Sequence, residues 1–156
     1  MAKHINNVDE LQIALMPELK RMVDRLSQRV YETLNFFLQE YYNSYDPTSY
    51  QRQYDFLHSA VKVNSKIRGN KVEAYVYIDY NAMNNYRKVS GLQVVTWANE
   101  GLHGGLDVEN NTPHVWDATM DETVENGELL KAAIEYLKSK GYSVRVWYRI
   151  YKLVFL

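Results

Sequence analysis

Between Pro17 and Tyr45 the apolar positions Leu19, Met22, Leu26, Val30, Leu34, Phe37, Tyr41 and Tyr45 recur at spacings of three and four, with no glycine and no further proline between them. That period predicts one long helix. At 1.5 Å per residue it would measure about 42 Å, whereas a domain of this size has a radius of gyration of about 15 Å. Part of the helix should therefore overhang its own core, either solvated or covered by another subunit. Ahead of it, Asn7 or Asp9 can cap a short first helix carrying Leu11, Ile13, Leu15 and Met16. Pro17 then either kinks that helix or opens the next at N1, where Glu18 suits the positive end.

The same helix places Arg21, Arg25 and Arg29 at successive i, i+4 positions, a basic stripe off the apolar face. It reads either as a solvated face relieved by Asp24 and Glu32 or as a surface meeting an acidic neighbour in a ring. At Asp46-Pro47 the pattern breaks. A residue before proline avoids the helical region, so Asp46 is expected to end the long helix and cap a short second one starting at Pro47. There Tyr50, Tyr54 and Leu57 fall at i, i+4 and i+7, with Arg52 projecting elsewhere and able to stack on a ring.

Val61, Val63, Ser65 and Ile67 alternate, Arg68-Gly69-Asn70 supplies turn chemistry, and Val72 to Tyr80 alternates again, which predicts a β-hairpin. In its second strand Val72, Ala74, Val76 and Ile78 form the core face, and Glu73, Tyr75, Tyr77 and Asp79 form an opposite face suited to a covering helix or a partner. Leu92 to Ala98 is expected as a short third strand, and residues 99–113 as a glycine-rich loop. Asp121 to Lys140 reads as a helix with the stripe Val124, Leu130, Ala133, Ile134 and Leu137, a weak point at Asn126-Gly127, and Gly141 as its C′ residue. Tyr142 to Leu156, which includes Trp147 and Phe155, alternates enough to be one closing strand, which would span about 50 Å, or two with a bend. An apolar edge that long needs cover, most simply another subunit. The fold class expected is α+β: a long N-terminal helix, a short second helix, and an antiparallel sheet of the hairpin and the C-terminal strand, with a helix packed on it.

Composition narrows the function classes. The 156 residues read as one domain, 1–156, and 46% hydrophobic with 24% charged residues is globular composition. Tyrosine outnumbers phenylalanine fourteen to four, which favours surfaces that become buried on association. A net charge of −1 lacks the basic footprint of a phosphate-gripping protein. The absence of cysteine removes disulfides and thiolate metal sites, and no apolar run reaches the length of a membrane span. A soluble intracellular product is expected.

Candidate chemistry concentrates around His103, with Asp107, Glu109, His114 and Asp117 nearby in sequence. These side chains can ligate metals, but none has a recognised spacing such as H-E-x-x-H. His103-Gly104-Gly105 is similar to the oxyanion segment of esterases, yet the chain contains no G-x-S-x-G elbow. His58 and Ser59 diverge on a strand or a helix alike. No catalysis and no cofactor are expected. The alternatives are a small metal-dependent enzyme using His103, His114 and Asp117, or an intracellular binding module gripping an acidic or nucleic-acid partner through Arg21, Arg25 and Arg29.

The run Tyr45, Pro47, Tyr50, Arg52, Leu57, Ser59, then Gly101-Leu102-His103-Gly104 and Lys140-Gly141-Tyr142, resembles the small neck and tail-completion proteins of long-tailed phages and prophages of Gram-positive bacteria. The resemblance follows most of the chain in order. It implies a structural virion protein without catalysis, assembled in the host bacterial cytoplasm and located at the neck. Its implied partners are like subunits in a closed, hexamer-type ring, the neighbouring connector or stopper, and tail-tube or tail-terminator proteins. Packaged DNA would lie close by, and no membrane is involved. Tyr45, Pro47, Tyr50, Arg52 and Leu57 would form the fold corner. Arg21, Arg25, Arg29, Tyr75, Tyr77, His103, Gly104, Trp147 and Phe155 are the candidate subunit contacts.

Overall fold

The structure, a computed structural model, describes residues 7–47, 53–83, 88–103 and 112–145. Helix α1 runs unbroken from Val8 to Asn43. Its first turn is capped by Asn7, whose side chain accepts from the Glu10 N–H at 2.8 Å. Pro17 lies inside it and neither ends nor begins a helix. Proline removes one main-chain bond, and the capped turn before it together with the strongly periodic segment after it carry the helix through. Thirty-six residues span about 54 Å. The helix stops at Asn43, earlier than expected from Asp46-Pro47, because Ser44 closes it by donating its N–H to Glu40 O at 2.9 Å.

The core lies at the C-terminal half of α1, where Leu34, Leu38, Tyr41 and Tyr42 pack with Phe56, Met83, Ala98 and Val115. The other end overhangs: Leu11 is exposed, and Ile13 is 72% exposed.

Strands β1 (Ala60–Arg68) and β2 (Lys71–Ile78) form a two-stranded antiparallel hairpin that packs along α1. Its two-residue turn places Gly69 at φ +59°, a left-handed value that glycine adopts freely. An irregularity between Val63 and Lys66 puts an extra residue in β1. The faces expected for β2 stand, with Val76 and Ile78 inward and Tyr75 and Tyr77 exposed. Ala60, Val76 and Ile78 turn to the core, and Val61 and Val63 pair with Tyr77 and Tyr75 on the outer side. Past the bulge the alternation reverses, and Ser65 is buried against α1.

Residues 53–59, expected to finish a second helix, form turns, and residues 48–52 lie outside the described set. A 3₁₀ turn, Tyr80–Met83, leads toward α2 (Gly91–Asn99), which replaces the expected third strand. Ser90 caps α2 by accepting from Gln93 N at 3.2 Å. Val94, Val95 and Ala98 meet the core at helical rather than alternating spacing. Gly91 is required by close approach, since a Cβ there would lie 1.8 Å from the Tyr80 carbonyl oxygen.

The last helical stretch begins before Asp121, as α3 (Val115–Met120), widens into a π-turn over Asp121–Glu125 and restarts after Gly127 as α4 (Glu128–Ser139). The break thus falls at Asn126-Gly127, as expected. Thr119 and Thr123 are fully buried without penalty, because their hydroxyls donate to Val115 O at 2.7 Å and Thr119 O at 2.6 Å. On α4, Leu130 is exposed and Tyr136 is the buried residue, a shift of the expected stripe. Gly141, at φ +84°, closes the helix. Its N–H donates to Lys138 O and that of Tyr142 to Leu137 O, which is a Schellman motif. Residues 142–145 are not a strand, and the rest of the expected C-terminal strand, with Trp147 and Phe155, lies outside the described residues. The architecture is α+β, with α1 as its long axis and the hairpin packed on it. Among the described residues no helix is long and apolar enough to cross a membrane.

Candidate functional site

The end of α1 gathers the tyrosine corner and the His103 loop into one cluster. The Tyr41 ring stacks on the His103 imidazole with centroids 4.1 Å apart and planes 22° apart, and the Tyr45 ring lies 5.1 Å from the same imidazole. Ser44 Oγ donates to Tyr41 O at 2.8 Å and sits 3.0 Å from His103 Nε2. Since that hydroxyl has one proton, its lone pairs are left to accept from the ring. Tyr41 donates its hydroxyl to Leu102 O at 2.7 Å, and Tyr42 donates to Gln53 O at 2.9 Å. Two neighbouring phenols therefore pin two distant segments to the helix end. His103 is 8% exposed, its ring packed against Tyr41, Tyr45 and Ser44. Leu57 packs against the core nearby and Pro47 is half-buried. Tyr50, Arg52 and Gly104 lie outside the described residues.

His103, His114 and Asp117 have separate local roles. The His114 ring closes on Gly101, where a Cβ would lie 3.1 Å from its Nε2. Asn99 Oδ1 accepts from the N–H groups of Trp116 and Asp117, both at 3.1 Å, and its Nδ2 donates to Asp117 Oδ1 at 3.2 Å, tying the end of α2 to the start of α3. Among the described residues no three histidines or carboxylates group together as metal ligands would.

The arginine stripe faces α4. Arg21 pairs with Glu18, Arg25 lies 4.9 Å over the Tyr136 ring, and Arg29 Nη2 meets Glu128 Oε2 at 3.0 Å. Tyr136 donates to Glu18 Oε2 at 2.9 Å, and burial, followed by the Glu18 carboxylate, pushes its phenol above the ordinary value. Reading the stripe from sequence missed Tyr136, Glu18 and Glu128. The usable signal was the spacing of Ala132, Tyr136 and Ser139 on one face of α4. Between the helices is a cleft of about 330 Å³, with Met22, Leu26 and Ala132 in its walls.

On the hairpin's outer face, Tyr75 is 52% and Tyr77 44% exposed, opposite Val61 and Val63. An aromatic and aliphatic surface of this kind suits protein contact.

Taken together, these features define a mixed α+β protein whose distinctive side chains lock segments together and leave aromatic surface uncovered. A family model described as YomN matches residues 7–139, and the chain belongs to the YomN family. The family is phage-associated. No curated protein and no solved structure matches the chain.

Proposed function

We propose that this protein is a structural component of the phage head–tail interface, a neck or tail-completion ring that joins the connector to the tail tube and performs no catalysis. The observation that carries the reading is the open outer face of the hairpin, where Tyr75 and Tyr77 stand exposed over Val61 and Val63. A monomer with no partner gains nothing from that surface, whereas an assembly buries it. Membership of a phage-associated family supports the same reading, as do the exposed apolar residues at the free end of α1. Like subunits in a closed ring and the neighbouring connector and tail proteins are the partners, and the virion neck is the location. The test is to delete the gene from a phage that encodes it and image the particles. Filled heads and finished tails that fail to join are expected, with the labelled protein at the neck of wild-type particles. Normal, infectious particles that never contain the protein would overturn the proposal.

A further inference from the structure

The apolar stripe of α1 outruns the core. Leu34, Phe37, Leu38 and Tyr41 belong to the core or pack against it. Leu19, Val23, Leu26 and Val30 continue the same face toward the N-terminus, and among the described residues none of them joins that cluster. They are half-buried. On one flank of this stripe lies α4, with Tyr136 bonded to Glu18 and Arg29 to Glu128. On the other lies the hairpin, with Ser65 bonded to Asp24 and Lys20. The hairpin's β1 side borders a polar gap that contains Asp24, Gln28, Glu32 and Lys62, which leaves β2 on the side of the stripe. The stripe is therefore the apolar floor of a slot walled by β2 and α4.

The chain leaves α4 at one end of this slot. Glu128 near the start of α4 meets Arg29 and Tyr136 near its end meets Glu18, so α4 runs antiparallel to α1 and stops beside the first half of that helix. The hairpin turns at the same end, since β1 passes Gln28 at Lys62 and Lys20 at Ser65 before β2 begins at Lys71. Residues 146–156, VWYRIYKLVFL, lie outside the described residues. They contain no glycine, proline or acidic residue and alternate with period two. As a strand they would span about 36 Å, against about 26 Å for β2 and about 17 Å for α1 between Leu19 and Val30. The segment is long enough to line the slot from end to end.

We propose that residues 146–156 dock in this slot of their own chain as a third strand, parallel to β2, with Val146, Ile150 and Val154 on the stripe of α1. Among the described residues the sheet has two strands, so one edge of β2 has no strand partner. A parallel neighbour needs a long crossover, and the path through α2, α3 and α4 supplies one. Charge selects the same edge. β1 carries Lys62, Lys66 and Arg68, which would repel Arg149 and Lys152, whereas β2 has one cation, Lys71, beside Glu73 and is followed by Asp79. Docking covers the apolar edge that the sequence leaves in need of cover. Trp147 and Tyr151, on the strand's opposite face, then stand beside Tyr75 and Tyr77 and widen the aromatic outer surface to three strands. The docking stands apart from the neck reading, since it can hold in a protein that joins no ring.

The test uses the full chain. In wild type, the amides of residues 147–154 should exchange with solvent at least about tenfold more slowly than in Val23→Asp, which charges the floor of the slot, or in Ile150→Asp, which charges the segment and touches nothing in the described body. Circular dichroism melts check that both variants fold. Since the chain has no cysteine, Val23→Cys combined with Ile150→Cys isolates the one contact. Mild oxidation of the double variant at low concentration should close a disulfide within single chains, and a mixture of the two single-cysteine proteins should give no mixed dimer. Free-chain exchange of the segment in wild type would overturn the proposal. So would a disulfide formed mainly between chains, which would assign the slot to the segment of a neighbouring copy.

Discussion

Asp24 Oδ1 accepts a 2.8 Å hydrogen bond from the backbone N–H of Ser65, joining the middle of α1 to the bulge of β1. A bulge leaves a main-chain donor without its ladder partner, and a buried donor without an acceptor is costly. Here a helix carboxylate takes that place. Ser65 Oγ completes the joint by donating to Lys20 O at 3.2 Å, and Lys20 Nζ lies 3.1 Å from Asp24 Oδ2.

Asp24→Ala should therefore destabilise the fold by about 2 kcal/mol, the cost of stranding a donor that had a charged acceptor. The pH dependence follows from the carboxyl. The Ser65 side chain, then the Ser65 N–H and the Lys20 ammonium, lower it from 3.8 to about 2 against the opposing effect of burial. A carboxyl depressed in the folded state adds stability that is complete above its unfolded value and is lost as pH falls through the folded one. The advantage of wild type over Asp24→Asn should thus be level at neutral pH and shrink between 3.8 and about 2. Urea midpoints of both proteins across that range are the measurement, and parallel curves would refute the joint.

Two glycines should respond differently to alanine. A Cβ at Gly91 would fall 1.8 Å from the Tyr80 carbonyl oxygen, so α2 must move off the 3₁₀ turn. Overpacking of that kind costs about 3 kcal/mol. Around Gly69 there is nothing within 4 Å, and only its φ of +59° resists substitution, a cost of about 1 kcal/mol. Equilibrium denaturation of the two variants should place Gly91→Ala well below Gly69→Ala, and the reverse order would contradict the packing described.

How much of this was legible in the sequence depended on how local each cause was. The period of α1, the hairpin turn, the break at Gly127 and the Gly141 cap are written within a few residues, and all four stand in the structure. Of the two readings of Pro17, the start of a new helix fails, because one lost bond does not end a helix capped before it and periodic after it. The bulge in β1 leaves no mark on the alternation, because the amide it displaces is satisfied by Asp24, forty-one positions away. Leu92 to Ala98 looked strand-like by composition, but adjacent Val94 and Val95 both reach the core, as only a helix permits. At the candidate site the tyrosine corner and the His103 loop were each visible, but their contact joins residues fifty-nine apart, and the arginine stripe meets Glu128 across ninety-nine. No local pattern encodes such pairings.

Tyr41 carries two of those long-range contacts, so two substitutions can separate them. Tyr41→Phe keeps the stack on His103 and removes the bond to Leu102 O, costing about 1 kcal/mol. His103→Ala removes the stack and the Ser44 contact, costing about 3 kcal/mol for a large buried ring. Hydrogen exchange should show Leu102 and its neighbours opening more often in both variants, with β1 and β2 protected as before. Equal loss of protection in the hairpin would mean that the cluster supports the whole core rather than the loop.

The outer face of the hairpin separates folding from assembly. Tyr75 and Tyr77 are exposed, and the Tyr75 hydroxyl donates to Glu73 of its own strand, at 3.2 Å. Replacing both with serine removes no core contact, because Val76 and Ile78 on the opposite face continue to pack against the core. Stability should change by no more than about 1 kcal/mol, the sum expected for two exposed strand positions. If this face is an assembly surface, the folded double variant should fail to support joined heads and tails when supplied in place of wild type. Thermal melts, sedimentation and particle counts on one preparation decide the matter. Joined, infectious particles made with the Tyr75→Ser/Tyr77→Ser protein would remove this surface from the interface, and a collapse in stability would show that the tyrosines support the sheet itself.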